Sequence, residues 1–287
     1  MLSFCSCFTC DLLLYCLLST VLLLSRSAVS VPPCLRGKIS FAVPDTRKHR
    51  GPHPEDARLF APAAWPRLAS AVADLSLLLT RGYAQNSALK IVGDRHELTA
   101  RQRMAVARAA CPDDALQRRK AAEVDRRDLA GQGLLIDGYN LLMTIETALA
   151  GGLVFRCRDG CLRDIAGVHG TYRKVDETIP AIEQIGAVLA RLAVSRACWI
   201  LDSPVSNSGR LATILRGVAA QHTWPWETQL LPRPDPVLIQ SSEIVATADS
   251  AILDRTTRWF NLAAEVVCAL KLPSARISVD LAPAQPS

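Results

Sequence analysis

Three short, mostly apolar runs in the second half of the chain each end in an aspartate. They are Leu134–Ile136 before Asp137, Ala197–Leu201 before Asp202, and Glu243–Ala248 before Asp249. Runs of this length without alternating polar positions are typical of strands that are buried on both faces of a parallel sheet. The pattern therefore predicts three parallel strands that each carry an acidic side chain at the carboxyl end.

Stretches with helical spacing of apolar residues separate the predicted strands. The sequence predicts helices at 141–150, 178–192, 210–221 and from Ser250 to about residue 270. Strands that alternate with helices indicate an α/β domain with a parallel sheet, here over residues 131–272, followed by a tail at 273–287. The polar stretch 151–171 is predicted to be a loop.

Residues 65–130 carry helical spacing and no strand pattern. Thr99 and Gln102 form a capping-box pattern, which marks the start of a helix that runs to Ala110. Upstream of it, Leu68, Val72 and their neighbours recur at helical intervals. We therefore expect a small all-α domain before the α/β domain.

The first 64 residues are predicted to form a leader and a flexible segment. Residues 12–24 are an apolar run with the length of a signal-peptide core, but Asp11 precedes it and no positive residue stands before Arg26. Three interpretations remain open: an export signal, a weak membrane anchor, or a start codon placed too far upstream. We favour the last, and we expect residues 1–60 to pack against nothing and the protein to make no stable membrane association.

Composition favours an α/β or helical protein of a reducing compartment. Aromatic residues make up only 5% of the chain, which is few for a β-sandwich. Five of the ten cysteines lie in the first 34 residues and the others are scattered, and Cys198 lies inside an apolar run, as a buried thiol does. We therefore expect a cytoplasmic protein. The net charge of +6 suits a nucleic-acid partner, although many solvated surfaces are as basic.

Asp137, Asp202 and Asp249 are the candidate catalytic residues and metal ligands. If their strands are neighbours, the side chains meet at the carboxyl edge of the sheet, where open parallel sheets bind ligands. Carboxylates this close repel one another unless a cation neutralises them, and oxygen ligands select hard cations such as Mg²⁺ or Mn²⁺. For any one aspartate, capping the next helix is the simpler explanation, but three in one domain favour a centre for phosphodiester hydrolysis.

The residues around these aspartates resemble a known family. Leu135–Leu141 looks like the opening motif of NYN-type PIN-like ribonucleases, Trp199–Asp202 resembles their second strand, and Val245–Ser250 resembles the Ala-Thr-x-Asp motif of their third. The stretch 81–103 resembles the small helical domain of an uncharacterised prokaryotic family, number 434 among the domains of unknown function. Proteins of that family couple this helical domain to a PIN-like domain. Over residues 65–270, the resemblance implies a three-layer PIN-like domain and a metal-dependent ribonuclease.

PIN proteins usually carry a further acidic residue on a helix between their first and second strands. The candidates here are Glu146, Asp159, Asp164, Glu177 and Glu183. We prefer Asp164 and Glu177 as additional metal ligands, since Glu183 lies in a helix interior and is equally explained as a surface residue.

Basic and polar residues near the acidic motifs are candidate nucleic-acid contacts. They are Asn140, Arg156, Arg158, Arg163, Arg173, Ser208 and Arg210. Arginine side chains and helix N-termini can hold phosphates, but a solvated basic loop explains the same pattern. The helical domain offers a similar set, Tyr83, Lys90, Arg95, Arg101 and Arg103, with the same alternative. The rings of Trp224 and Trp226 either stack on bases or, as we prefer, pack onto the sheet.

The leading hypothesis is a Mg²⁺- or Mn²⁺-dependent ribonuclease that acts on RNA. A non-catalytic RNA-binding protein with the same fold is the first alternative. A small phosphatase or nucleotide hydrolase is the second, and it is weakened because an aspartate nucleophile is usually followed two residues later by another aspartate, whereas Asp137 is followed by Asn140 three residues later. Zinc at Cys157, Cys161 and His169 lacks a fourth ligand and the spacing of a finger.

Overall fold

The structure, a computed structural model, describes residues 48–165, 172–270 and 279–282. The predicted leader up to residue 47, the zinc candidate His169 and most of the predicted tail lie outside the described residues.

Eight strands form two sheets in the described residues. They are β1 (Gly133–Asp137), β2 (Val154–Arg156), β3 (Leu162–Asp164), β4 (Arg196–Asp202), β5 (Trp226–Leu231), β6 (Ile244–Ala246), β7 (Trp259–Phe260) and β8 (Val279–Asp280). The larger sheet has the order β5-β4-β1-β6-β7, and every neighbouring pair is parallel. The three predicted strands therefore stand side by side at its centre.

Helices cover both faces of the larger sheet. The helices are α1 (Asp56–Leu59), α2 (Trp65–Thr80), α3 (Gln85–Arg95), α4 (Ala100–Ala109), α5 (Asp113–Ala122), α6 (Gly138–Leu149), α7 (Thr178–Arg191), α8 (Ser208–His222), α9 (Pro234–Gln240), α10 (Ser250–Leu253) and α11 (Leu262–Ala269). Side chains of α6, α7, α8 and α11 share one core with β1 and β4, while α9 and α10 pack on the opposite face against Leu135, Ile200 and Val245. This arrangement confirms the predicted α/β fold with a parallel sheet. In these ranges, no helix combines the length and apolar character needed to cross a bilayer.

The helical unit begins earlier than the sequence suggested. Helices α2 to α4 pack around Leu68, Val72 and Val106, and the capping box at Thr99 and Gln102 is formed. Leu59 and Phe60, which we expected in a flexible segment, are buried in the same core. Burying two large apolar side chains stabilises the fold by roughly 1.5–3 kcal/mol each, which offsets the cost of ordering this segment.

The predicted loop at 151–171 contains two strands of a second sheet. Here β2 pairs antiparallel with β3 and parallel with β8. The ring of Phe155 on β2 lies 5.2 Å from that of Phe60. Phe155 thus belongs to the core of the helical unit, so the small sheet joins this unit to the α/β domain.

Candidate active site

A cleft of about 540 Å³ lies at the carboxyl edge of the larger sheet. Asp137, Asp202 and Asp249, which follow or end the neighbouring strands β1, β4 and β6, all line it. Gln85, Ala107 and Arg108 of the helical unit form another part of the wall. The topology thus brings together three side chains that are up to 112 positions apart in the sequence.

Gly138 allows the first two acids to approach each other. A Cβ atom at this position would lie 2.5 Å from Cδ2 of Leu201 and 3.0 Å from the carbonyl oxygen of Ile200. Contacts this short would push α6 away from the end of β4. The glycine therefore lets α6 begin directly after Asp137 and close to Asp202.

Asn140 and Thr247 link the ends of β1 and β6. Oδ1 of Asn140 accepts a hydrogen bond from the backbone N–H of Ala248 at 3.0 Å. The hydroxyl of Thr247 donates to Oδ2 of Asp137 at 2.7 Å and accepts from the backbone N–H of Asp249 at 3.0 Å. Asn140, which the sequence suggested as a nucleic-acid contact, thus has a structural bond through its carbonyl oxygen, and the threonine of the Ala-Thr-x-Asp motif couples two acids.

Asp137 is the most perturbed of the three acids. Burial raises its pKa to about 7, and the charges of Asp249, Asp235 and Asp202 act in the same direction, against the lowering effect of the hydrogen bond from Thr247. Burial and the charge of Asp235 also raise the pKa of Asp202. The cleft thus concentrates negative charge, a condition that a bound cation would relieve.

The capping explanation applies to Asp249 alone among these three. Its Oδ1 accepts hydrogen bonds from the backbone N–H groups of Ala251 at 2.7 Å and Ile252 at 3.3 Å, so it caps α10. Asp137 precedes α6 without a capping hydrogen bond, and α8 starts six residues after Asp202. The carboxylates of Asp137 and Asp202 are therefore not explained by capping.

Two charged residues in the cleft were missed by the sequence analysis. Asp235 in the first turn of α9 lines the cleft, and its charge acts on both Asp137 and Asp202. Arg108 on α4 also lines the cleft and donates to the carbonyl oxygen of Asp164 at 2.7 Å. Neither stands in an acidic or strand-terminal motif; the only sequence signal was the Pro-Asp-Pro start of α9.

Of the two preferred additional ligands, only Asp164 lies in the cleft. Its Oδ2 accepts a hydrogen bond from the Thr144 hydroxyl at 3.0 Å. Glu177 does not line the cleft, and its Oε1 lies 2.7 Å from Nδ1 of His49. The structure therefore does not bring Glu177 to the other acids, because the loop before α7 directs this side chain to the segment at residues 48–50.

The other acidic candidates are accounted for elsewhere in the fold. Glu146 is fully buried and accepts hydrogen bonds from Tyr172, Thr178 and Arg50. Glu183 is exposed on α7, as its alternative explanation held.

Asp159 and Arg163 form a buried ionic junction with Arg119. The Arg163 guanidinium donates two hydrogen bonds to the Asp159 carboxylate, at 2.9 and 2.6 Å, and Arg119 adds a third. Burial by itself would raise the pKa of Asp159, but the two arginines outweigh it and hold this pKa at about 2. Arg163 also donates to the carbonyl oxygen of Ala248, so this predicted phosphate contact lines the cleft but is bonded to groups within the protein.

The remaining predicted contacts differ in their exposure and in their distance from the cleft. Arg158 donates to the carbonyl oxygen of Cys111 and to Asp113, and the buried Ser208 hydroxyl donates to the carbonyl oxygen of Ser203. The exposed ones are Arg156, Arg173 and Arg210, none of which lines the cleft.

Two further predicted contact groups are largely engaged within the protein. In the helical unit, Arg101 pairs with Asp56 and Arg103 with Asp94, while Tyr83 is 53% exposed. The rings of Trp224 and Trp226 stack on each other and Trp226 packs against Trp199 of β4, so these two tryptophans pack onto the sheet.

The donor set of the cleft suits a hydrated hard cation. Across the described residues, no three histidine, cysteine, aspartate or glutamate side chains are already placed to hold a metal ion together. Mg²⁺ commonly keeps several waters and takes only one or two protein carboxylates, so the paired negative charges of the cleft fit it. Cys157 and Cys161 are buried free thiols whose pKa values are raised by burial, which does not suit zinc.

Comparisons with known proteins match two parts of the chain to families without an assigned activity. Residues 67–121 match a protein of unknown function (DUF434), and residues 126–265 match a domain of unknown function (DUF5616). An uncharacterised protein of Methanocaldococcus jannaschii is 29% identical over 180 residues, which cover 63% of this chain and 86% of the relative. No solved structure matches the chain. The two family matches meet between α5 and β1, where the helical unit gives way to the α/β domain.

Proposed function

We propose that the protein is a Mg²⁺- or Mn²⁺-dependent nuclease that hydrolyses phosphodiester bonds in RNA. The observation that supports this most is the convergence of Asp137, Asp202 and Asp249 from three neighbouring parallel strands on one cleft. Uncompensated carboxylates at the carboxyl edge of an open sheet are suited to cation binding and not to stability. A cation bound there would activate water and stabilise the leaving oxygen.

The residues of the cleft have separate roles in this proposal. Asp137 and Asp202 hold the cation, and Asp249 and Asp164 contribute from the cleft walls, directly or through water. Thr247 orients Asp137 through its hydroxyl, and Asn140 holds the end of β6 against α6. Fixing these side chains in advance lowers the cost of positioning a phosphodiester for attack.

Arginines on both sides of the acids supply the proposed contacts to the RNA backbone. Arg108 lines the cleft on the side of the helical unit. Arg233 and Arg255 line an adjoining cavity of about 600 Å³ that shares Asp202 with the cleft. A strand that crosses the acidic centre would meet positive charge before and after it, which compensates repulsion between phosphates and carboxylates.

A substitution at Asp137 tests the proposal. We expect Asp137→Asn to abolish Mg²⁺- or Mn²⁺-dependent cleavage of single-stranded RNA and to leave RNA affinity nearly unchanged, because the arginines that bind phosphate remain. The exposed Asp128 lies outside the cleft, so Asp128→Asn is the matched control. Wild-type protein that binds RNA but cleaves none of several RNA substrates with either metal would contradict the nuclease.

That last outcome defines the alternative, a non-catalytic RNA-binding protein with the same fold. It is favoured by one observation: Asp249 spends its Oδ1 on capping α10. We propose the cytoplasm as the compartment of either activity, because all five cysteines in the described residues are free thiols.

A further inference from the structure

We propose that Asp235 is the third principal acid of the cation centre at Asp137 and Asp202, directly or through a bound water, that it contributes more to cation binding than Asp164, and that Glu177 takes no part. This inference rests on the proposed metal-dependent function and assigns a ligand that the sequence pattern placed elsewhere. Asp235 enters from the connection between β5 and β6, whereas the expected residue lay between β1 and β4.

The position of Asp235 is the first support. It lines both the cleft and the adjoining cavity, together with Asp202 and Pro234. Among the acids of the cleft, only Asp202 shares this position at the boundary between the two cavities. A cation held between Asp235 and Asp202 therefore stands where a strand that passes from one cavity to the other would cross.

The backbone that carries Asp235 is held by prolines. Pro232, Pro234 and Pro236 alternate with the residues around it, and Pro234 is buried at the start of α9. Proline fixes φ near −65° and restricts the residue before it, so this stretch has few alternative conformations. Because the backbone is already ordered, binding a cation costs little entropy at this position.

The second support is that the Asp235 carboxylate is not bonded to other groups of the described structure. No described residue forms a hydrogen bond or an ion pair with its side chain, although Arg233 and Arg255 line the adjoining cavity. By contrast, Thr144 bonds Asp164 and His49 bonds Glu177. A carboxylate with all its lone pairs available loses no existing bond when it binds a cation or a bound water.

An unpartnered hydroxyl in the same cleft independently points to a ligand. Tyr139 is 7% exposed, lines the cleft, and its hydroxyl has no hydrogen-bond partner in the described structure. A tyrosine hydroxyl can donate one hydrogen bond and accept others, so it can bond an oxygen ligand in the cleft. Leaving a buried hydroxyl unsatisfied costs about 1–3 kcal/mol, a cost that a bound oxygen ligand, such as a water on a hydrated cation, would remove.

Direct measurement of Mn²⁺ binding tests the assignment without any substrate. Isothermal titration calorimetry and the Mn²⁺ electron paramagnetic resonance signal would be recorded for the full chain and four variants: Asp235→Asn, Asp235→Ala, Asp164→Asn and Glu177→Gln. We expect both Asp235 variants to weaken Mn²⁺ binding at least about tenfold. Substituting a residue that only hydrogen-bonds to a metal ligand already lowers metal affinity by about this factor, and loss of a ligand itself should lower it at least as much. Glu177→Gln should leave the affinity unchanged, and Asp164→Asn should change it less than either Asp235 variant.

The outcomes separate this inference from the proposed function. If the wild type binds Mn²⁺ and cleaves RNA while both Asp235 variants bind Mn²⁺ with unchanged affinity, Asp235 is not a ligand and the nuclease still stands. A wild type that binds no Mn²⁺ overturns both. Because Asp235 is exposed, its substitution should leave the thermal unfolding curve unchanged, and this curve checks that lost binding is not lost folding.

Discussion

Asp159 is buried and Asp137 is partly buried, yet their pKa values move in opposite directions. The pKa of Asp159 is held at about 2 because Arg163 and Arg119 overcome the effect of burial. The pKa of Asp137 is raised to about 7 because its charged neighbours, Asp249, Asp235 and Asp202, are acids and add to the effect of burial. The protein compensates the charge of Asp159 with two arginines and leaves the charge of Asp137 uncompensated.

This contrast separates a structural ionic site from a candidate functional one. The junction of Asp159 with its arginines connects α5, the β2–β3 hairpin and, through the carbonyl oxygen of Ala248, the end of β6. It holds the small sheet and the larger sheet around the cleft. The acids of the cleft contribute less to stability than this junction, because they have no positive partner. This pattern is expected where a bound ligand supplies the positive charge.

The largest expected effect on stability comes from breaking the compensated site. Asp159→Asn should destabilise the protein by roughly 3–5 kcal/mol, because it leaves the buried Arg163 without its counter-charge and Arg119 with Asp254 alone. Equilibrium denaturation in urea at neutral pH measures the change. The matched control is Asp125→Asn: its pKa is also about 2 through Arg127, but the pair is exposed, so we expect no measurable change. Equal effects of the two substitutions would show that burial does not make the Asp159 junction more important for stability than an exposed ion pair.

A smaller effect of opposite sign is expected at the uncompensated site. The folded-state pKa of Asp137 lies above its unfolded value of 3.8, so folding favours the protonated form and this residue lowers stability progressively as pH rises from about 4 to about 7. Asp137→Asn should therefore be more stable than the wild type at pH 8 by about 2 kcal/mol, roughly half of what three pKa units give, since the side chain is partly exposed.

Denaturation of both proteins at several pH values, without divalent cations, measures this difference. The advantage of the variant should shrink steadily as pH falls below 7 and should be flat above it. If the difference in stability between the two proteins does not depend on pH, the pKa of Asp137 is not raised in the folded state. Added Mg²⁺ should stabilise the wild type and not the variant, since a ligand that binds the native state stabilises it.

The smallest effect, on RNA affinity, is expected for arginine side chains that lie outside both sites. Arg210→Gln, on the exposed first turn of α8, should weaken single-stranded RNA binding by a few-fold and lower the slope of log affinity against log salt by about 0.7 if it holds one phosphate. Arg127, exposed and paired with Asp125, provides the control Arg127→Gln, for which no change is expected. Fluorescence anisotropy over a salt series measures both; an unchanged slope for Arg210→Gln would remove it from the RNA surface.

The central strands were predictable because their signal is local. A run such as Ala197–Leu201 is apolar without interruption, and only burial on both faces of a sheet accommodates it. The strands of the small sheet were not, since β2 and β3 are three residues each and lie among arginines, aspartates and cysteines. These strands form because they pair with each other and because Phe155 packs onto the helical unit. The packing of Phe155 is a contact between residues far apart in the sequence.

The candidate site was predictable only in part, for the same reason. Asp137 and Asp202 could be found because each ends a recognisable strand. Asp235 and Arg108 could not, since nothing near them in sequence relates α9 or α4 to the cleft. Arg163 differs from its expectation in the opposite way. An arginine in a polar stretch is expected to be exposed, yet Arg163 is buried because it pairs with Asp159, four residues before it, which Arg119 on α5 also contacts.

The α/β class of this protein, its central strands and the aspartates that end them follow from the order of apolar and polar residues, because this order reflects which faces are buried. Which charges are compensated depends instead on how the chain folds. Whether a carboxylate is neutralised depends on partners within a few ångströms, since the interaction of two charges weakens with distance and with access to water. Those partners come from α4, α5 and α9, which are separated from the acids along the chain and adjacent to them only after folding.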